Sequence, residues 1–379
     1  MKAVIRTGLL GTNLSFLQDY PTPSSSSIKV IKNIKNHVYI KVKAASINPV
    51  DYKLPKVIGG KGVGIDFCGT IIEKINIIDN DDDDDDEHNK NNTKKFEIGD
   101  DVFGTCSLLS SSSGSLAEYC IADIDKIAKV PKKNNNNDDN NHNHNTWSYL
   151  ECAALPVAYM SALQSLRIGK ITPVETSINS SSSDDNDGNN SQKAVLVIGA
   201  SGGCGIAGIQ LCKAMGIGRI VGICSDRNID FVKELGATEV VSYSNDTELQ
   251  SFFDKNSGTF DCVYDAATNS GGGEDYWSMS QKLLKKGDDE KNKIHGEYVA
   301  LNGPASKWIR AFAGRQKAHE SIIMVKSNSS DLELILSLLN KIKAKPIINV
   351  VQFSEKGLED AFKQLKSRRT KGKIVFEVY

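Results

Sequence analysis

The stretch VLVIGASGGCGIAGIQLCKAMG, residues 195–216, governs how the rest of the chain is read. Its unbroken apolar run, 195–198, predicts a buried strand. A glycine-rich turn follows, and a helical pattern covers 205–215. Gly202, Gly203 and Gly205 allow positive φ and a close backbone approach to a ligand. The helix behind them offers unpaired N–H groups and the positive end of its dipole. Strand, glycine turn and helix, in that order, make a seat for a nucleotide diphosphate. The turn is not a plain G-x-G-x-x-G, because Ala200 holds the first glycine's place. A purely structural tight turn is the competing reading. The flanking strand and helix, and a second strand at the right distance, favour the nucleotide.

That second strand reads IVGICSDRN, residues 220–228. An NAD site usually closes it with Asp or Glu, which binds the ribose hydroxyls. Cys224 and Ser225 stand there instead, and Arg227 follows. A hydroxyl and a planar guanidinium suit the 2′-phosphate of NADPH, so NADPH is expected over NADH. Asp226 either points away or pairs with Arg227. Helical patterns at 150–168, 228–235 and 247–256 are interleaved with strands at 239–242, 260–265 and 296–301. This rhythm predicts an α/β fold with a doubly wound parallel sheet, the Rossmann arrangement.

Upstream, residues 1–130 alternate short β-like runs with turns, at 37–45, 70–78, 101–105 and 116–121. They predict an antiparallel β domain. A helix at 332–342 and strand-like runs at 347–353 and 373–379 predict a tail that returns to it. Four polar tracts, 79–95, 132–145, 177–192 and 285–293, lack the apolar residues that offset the entropy of ordering. They read as insertions in surface loops. Weak cation binding by the Asp run is the lesser reading of the first. The expected domains are 1–146, with insertions 79–95 and 132–145; 147–320, with insertion 177–192; and a return over 321–379.

The 379 residues are 39% hydrophobic and 25% charged, as in a soluble globular protein. A net charge of −1 and the lack of a basic stripe argue against a nucleic-acid partner. No apolar run approaches the ~20 residues of a membrane span. The first residues resemble neither a signal peptide nor an Arg-rich leader, so the cytoplasm is expected, with mitochondria as the alternative. The eight cysteines form no C-x-x-C pair and read as buried free thiols. His88, His142 and His144 lie in polar tracts and no H-E-x-x-H occurs, so no metal site is expected.

A series of strings then carries a resemblance: AASINPVDYK (44–53), GVGIDFCGTI (62–71), GDDVFG (99–104), GSLAEY (114–119), AALPVAYMSALQSL (153–166), the glycine turn, CSDRN (224–228), LGATEVVSY (235–243), FDCVYDAA (260–267) and RRTKGKIVF (368–376). In this order they resemble the medium-chain dehydrogenase/reductase superfamily, in its zinc-independent quinone oxidoreductase-like branch. Within it they look most like the reticulon-interacting protein group, and the Asn-Pro-Val-Asp segment also resembles stand-alone enoyl reductases. The resemblance implies a GroES-like β catalytic domain plus a Rossmann domain, with the active site in the cleft between them. Many members are dimers, so a homodimer is a possible state. Zinc-dependent members carry a Cys in the segment that here reads Asn48-Pro49-Val50-Asp51, and a His where GVGID stands. Neither ligand exists in this chain.

The expected function is hydride transfer from NADPH to a small quinone or α,β-unsaturated carbonyl, without zinc. The alternative is a nucleotide-binding pseudoenzyme or scaffold of the same fold. Hydride addition to an enone leaves an enolate, which needs a cation or donor and then a proton. Tyr52 and Lys53 stand as alternatives for that role. Asn48 is the candidate to position the nicotinamide, the ribose or the substrate carbonyl. Asp51 is expected to brace the local turn, or Lys53. The resemblance further implies Ser161 near the nicotinamide amide, and Ser201, Gly203, Cys204 and Gly205 facing the pyrophosphate. It places Tyr243 beside the adenosine ribose, Leu301 against the nicotinamide through its backbone, and Lys373 near the phosphates.

Overall fold

Runs rich in β-branched and aromatic residues form the strands, and where they are buried on both faces they lose the polar alternation of a half-exposed sheet. The structure is a computed structural model that describes residues 1–7, 13–22, 36–53, 60–75, 95–106, 114–131, 146–173, 190–268, 276–286 and 295–379. Two units partition the chain. The first is Met1–Val157, Lys326–Leu336 and Lys345–Tyr379; the second is Ala158–Val325 and Ser337–Ala344.

In the first unit, β1 (Ala3–Thr7) and β2 (Asn13–Leu17) pair antiparallel. A seven-stranded sheet is built from β3 (His37–Ser46), β4 (Asp66–Ile75), β5 (Asp101–Thr105), β6 (Tyr119–Asp123), β7 (Ile127–Lys129), β14 (Ile348–Gln352) and β15 (Lys373–Glu377). Its order is β14-β15-β3-β4-β5-β7, with β6 also on β3. The last strand thus lies antiparallel to β3, with Val375 opposite Ser46. Its core gathers Val38, Ile40 and Val42 of β3, Phe67 and Ile71 of β4, and Phe376 of β15. The helix Tyr149–Ala153 belongs to this unit, beyond the boundary expected at 146, because it packs on β3 and β4. One continuous helix was expected over 150–168. A break at Ala154–Leu155 divides it, and Pro156 opens the second helix, Pro156–Ile168, where its missing N–H costs nothing.

The second unit holds β8 (Ala194–Ile198), β9 (Arg219–Cys224), β10 (Glu239–Ser242), β11 (Cys262–Asp265), β12 (Glu297–Ala300) and β13 (Glu320–Ile322). All pair in parallel, in the order β10-β9-β8-β11-β12-β13. The order reverses between β8 and β11, which is the switch point where doubly wound sheets hold ligands at strand carboxyl ends. β8 is buried at every residue. The polar tract 177–192 is not wholly an insertion, because Asn190–Gln192 forms a 3-10 turn. Asn190 is buried there and donates from Nδ2 to Thr172 O and Met215 O, both at 2.9 Å. Most of the four tracts lies outside the described residues. None of the eight cysteines is in a disulfide, and all are buried except the half-buried Cys204. Among the described residues no helix is long and apolar enough to cross a membrane.

Candidate functional site

In the second unit the expected cofactor residues gather along one edge of the sheet. Gly199, Ser225, Tyr243 and Leu301 directly follow β8, β9, β10 and β12. Gly199 has a φ of 77°, which an L side chain rarely adopts. A twelve-residue helix, Gly203–Ala214, starts behind it with Gly202 as its cap residue. The N–H groups of its first turn have no partner within the helix and point out of its end. Gly205 is buried, and a Cβ there would stand 2.1 Å from Gly199 O. Its role is therefore close helix-to-turn packing, which holds the N–H groups in place. Cys204 is half-buried, and its thiol adds to the burial that raises the pKa of the Tyr264 hydroxyl.

Ser161 is buried on the helix Pro156–Ile168. Tyr243 is 47% exposed, and its N–H donates to Cys224 O at 3.0 Å. The Leu301 N–H donates to Asp265 O at 2.9 Å. Arg227 and Asp226 are both exposed and do not pair with each other. Sequence reasoning missed two residues here. Asp265 accepts from the Ala267 and Thr268 N–H groups at 2.8 Å each, and from the Thr268 and Tyr298 hydroxyls, so it shapes the turn after β11. Asn228 bridges the Ser201 and Ser225 hydroxyls. An acid at the end of an apolar strand and an Asn at a helix entry were the available signals.

The first unit brings together Asn48, Asp51, Asp66, Lys373 and Arg6. The short helix Pro49–Lys53 follows Asn48. Asp51 reaches back with Oδ2 to accept from the Asn48 N–H at 2.7 Å, the contact an acid at the third helical position makes in a capping box. Asp51 thereby braces the turn, and the Asn48 side chain is free from capping. The Asn48 amide is instead held on both sides. Its Oδ1 accepts from Lys373 Nζ at 2.6 Å and its Nδ2 donates to Asp66 Oδ2 at 2.9 Å. Asp66, fully buried, also accepts from Ser46 Oγ at 3.1 Å, Lys373 Nζ at 3.2 Å and Val157 N at 3.0 Å.

Lys373 therefore has a task other than the expected contact with phosphates. Its ammonium is buried and gives its three donors to Ile47 O, Asn48 Oδ1 and Asp66 Oδ2. Arg6, also buried, donates to the backbone oxygens of Gly62 and Asp51 and ties β1 to this turn. Burial raises the Asp51 carboxyl to about 7, since desolvation outweighs the Asn48 N–H bond. Nothing in the sequence string GVGID marked Asp66 as a partner of Lys373, because 307 residues separate them.

Tyr52 packs its ring against the core, edge-on to Phe362 at 6.4 Å. Burial raises its hydroxyl pKa. Lys53 is exposed overall, yet protein atoms around its ammonium and the charge of Arg368 lower its pKa.

Segments 48–51 and 62–66 present the following donors. Where they meet, the Asn48 amide, Asp66 and Lys373 bond to one another, Asp51 Oδ2 accepts from the Asn48 N–H while its Oδ1 is buried without a partner among the described residues, and the one nearby thiol, Cys106, donates to Gly64 O and has its pKa raised by burial. Among the described residues no group of three His, Cys, Asp or Glu could hold a metal ion.

Comparison with known proteins agrees with the geometry. The family described as "Alcohol dehydrogenase GroES-like domain" matches residues 34–132, and "Zinc-binding dehydrogenase" matches 235–376. The chloroplast envelope quinone oxidoreductase homolog of Arabidopsis thaliana is 27% identical over 361 residues, covering 94% of this chain and 91% of the relative. The 2-methylene-furan-3-one reductase of Solanum lycopersicum is 26% identical, covering 92% of this chain and 74% of the relative. The quinone oxidoreductase of Thermus thermophilus, solved also in complex with NADPH, shares the fold with a TM-score of 0.62 at 19% identity, covering 100% of this chain and 98% of that one. The two domain matches put the chain among the oxidoreductases of the medium-chain dehydrogenase/reductase superfamily, and its relatives include quinone oxidoreductase homologs and enoyl reductases.

Proposed function

We propose that the protein is an NADPH-dependent reductase that delivers hydride to a small quinone or α,β-unsaturated carbonyl without zinc. The Asn48 amide carries this reading. It is locked between Lys373 and Asp66 at the two segments where zinc-dependent members of the superfamily keep a Cys and a His. A fixed amide with one proton and one lone pair to spare can orient a carbonyl or a ribose hydroxyl.

NADPH, when bound, supplies the hydride. The first-turn N–H groups of Gly203, Cys204 and Gly205 suit its diphosphate, and Ser225 with Arg227, exposed and unpaired among the described residues, suits its 2′-phosphate. Of the two candidates for protonating an enolate, Lys53 is favoured. A lowered pKa makes its ammonium the better acid near neutrality, whereas the raised pKa of Tyr52 makes that hydroxyl a worse one. The names of the two relatives point to the same acceptor classes. Eight cysteines outside any disulfide suit a reducing compartment, and the cytoplasm is our assignment.

The test is NADPH and NADH oxidation measured side by side with a quinone panel and an enone panel. NADPH-driven turnover of at least one class is expected. Tight NADPH binding without turnover of any acceptor would overturn the enzyme reading in favour of a nucleotide-binding scaffold.

A further inference from the structure

At the end of β9, Ser225 opens a 3-10 turn, Asp226–Asn228, whose Asn228 N–H donates to Ser225 O at 2.9 Å. The turn carries the Asn228 side chain back over Ser225 and across to Ser201 of the glycine turn. Its Nδ2 donates to Ser201 Oγ at 3.0 Å and to Ser225 Oγ at 3.2 Å. An amide nitrogen has two protons and accepts nothing, so both hydroxyls act as acceptors and each keeps its own proton. Among the described residues neither hydroxyl donates to a protein group. Two O–H donors therefore meet at one amide, Ser225 at the strand end where an NAD site keeps a carboxylate and Ser201 from the glycine turn, and the exposed Arg227, unpaired among the described residues, stands on the same turn as Ser225.

We propose that Asn228 is a positioning residue for cofactor choice, which by donating to both serines frees their protons for the 2′-phosphate of NADPH. The inference rests on the NADPH reading and extends it, because it groups Ser201 with the ribose end of the cofactor rather than with the diphosphate. A phosphate offers several acceptor oxygens to these donors and gains from the guanidinium. A ribose hydroxyl has a proton to place, and Asn228 leaves the two serines with little reason to accept it. Asp226, exposed and without a partner among the described residues, is the one carboxylate on this turn.

Dissociation constants of NADPH and NADH for the whole protein test it, measured for the wild type, Asn228→Asp and Asn228→Ala. A carboxylate at 228 has only lone pairs, so both serines turn their protons inward. Asn228→Asp should weaken NADPH on the order of 30-fold through two lost donors and added like charge, and NADH less than about 3-fold. In Asn228→Ala the hydroxyls rotate freely, and a loss of roughly 5-fold confined to NADPH is expected. Equal weakening of both cofactors, which a merely structural role predicts, overturns the proposal, and so does an unchanged preference. If Asn228→Asp does not fold, Asn228→Ala decides. A wild type that binds NADH as tightly as NADPH removes the cofactor reading and this inference together. A wild-type preference for NADPH that survives in both variants removes this inference alone.

Discussion

The two polar centres of this protein are built in opposite ways. Around Asn48, the side chains of Asp66 and Lys373 are buried and bonded to one another, and the site's geometry is set before any ligand arrives. Around the Gly199 turn, the first-turn N–H groups have no partner within the helix, and among the described residues two serine protons and Arg227 have none. The first centre orients; the second waits for an anion. A buried centre must satisfy itself, since unpaired charge in the interior is costly, whereas an exposed one can leave donors to water until a phosphate replaces it.

The contrast is broken most severely at Lys373. Lys373→Met leaves Asp66 buried and unpaired, and should cost ~3–5 kcal/mol of first-unit stability in chemical unfolding. A loss below ~1 kcal/mol would show that the cluster is not self-supporting. Asp51 sharpens the same point through pH. Its folded pKa, about 7, lies above the ordinary 3.8. The folded state therefore holds the proton more tightly, and the stabilisation present below 3.8 is lost as pH rises toward 7. Wild type should lose up to about one factor of ten in its folding constant per pH unit across that window. Asp51→Asn should flatten this slope.

Lys53→Met should lower kcat roughly 100-fold, with Tyr52→Phe near wild type, in NADPH-driven turnover. The reverse order would hand the proton transfer to Tyr52. At the second centre, Gly205→Ala presses a methyl on Gly199 O and should cost ~1–3 kcal/mol of stability, with a comparable loss of binding for both cofactors. The smallest effect belongs to Arg227→Ala. NADPH should weaken by about 5–10-fold and NADH stay unchanged, because an exposed guanidinium is screened by water. An unchanged NADPH affinity would remove Arg227 from the site.

The two centres also differ in how far they could be read from the chain. The glycine turn was legible because its parts are consecutive: strand, glycines and helix stand within residues 194–214. The Asn48 centre was legible only at Asn48 and in the bracing role of Asp51, three residues on. Arg6, Asp66 and Lys373 come to it from β1, β4 and β15, and no local pattern announces such a meeting. The helix Glu355–Lys366 went unread although its signal was present. Ser354 caps it, and Leu358, Ala361 and Phe362 recur at helical spacing.

By itself the sequence determined the alternation of strands and helices, the nucleotide turn and the missing acid after β9. These rest on backbone propensity and on neighbours a few residues apart. Tertiary structure alone decided that Lys373 serves Asn48 and Asp66, and that Asn228 joins two serines. Each of these is a contact between elements, and a side chain's partner is settled only when burial forces distant polar groups to satisfy one another.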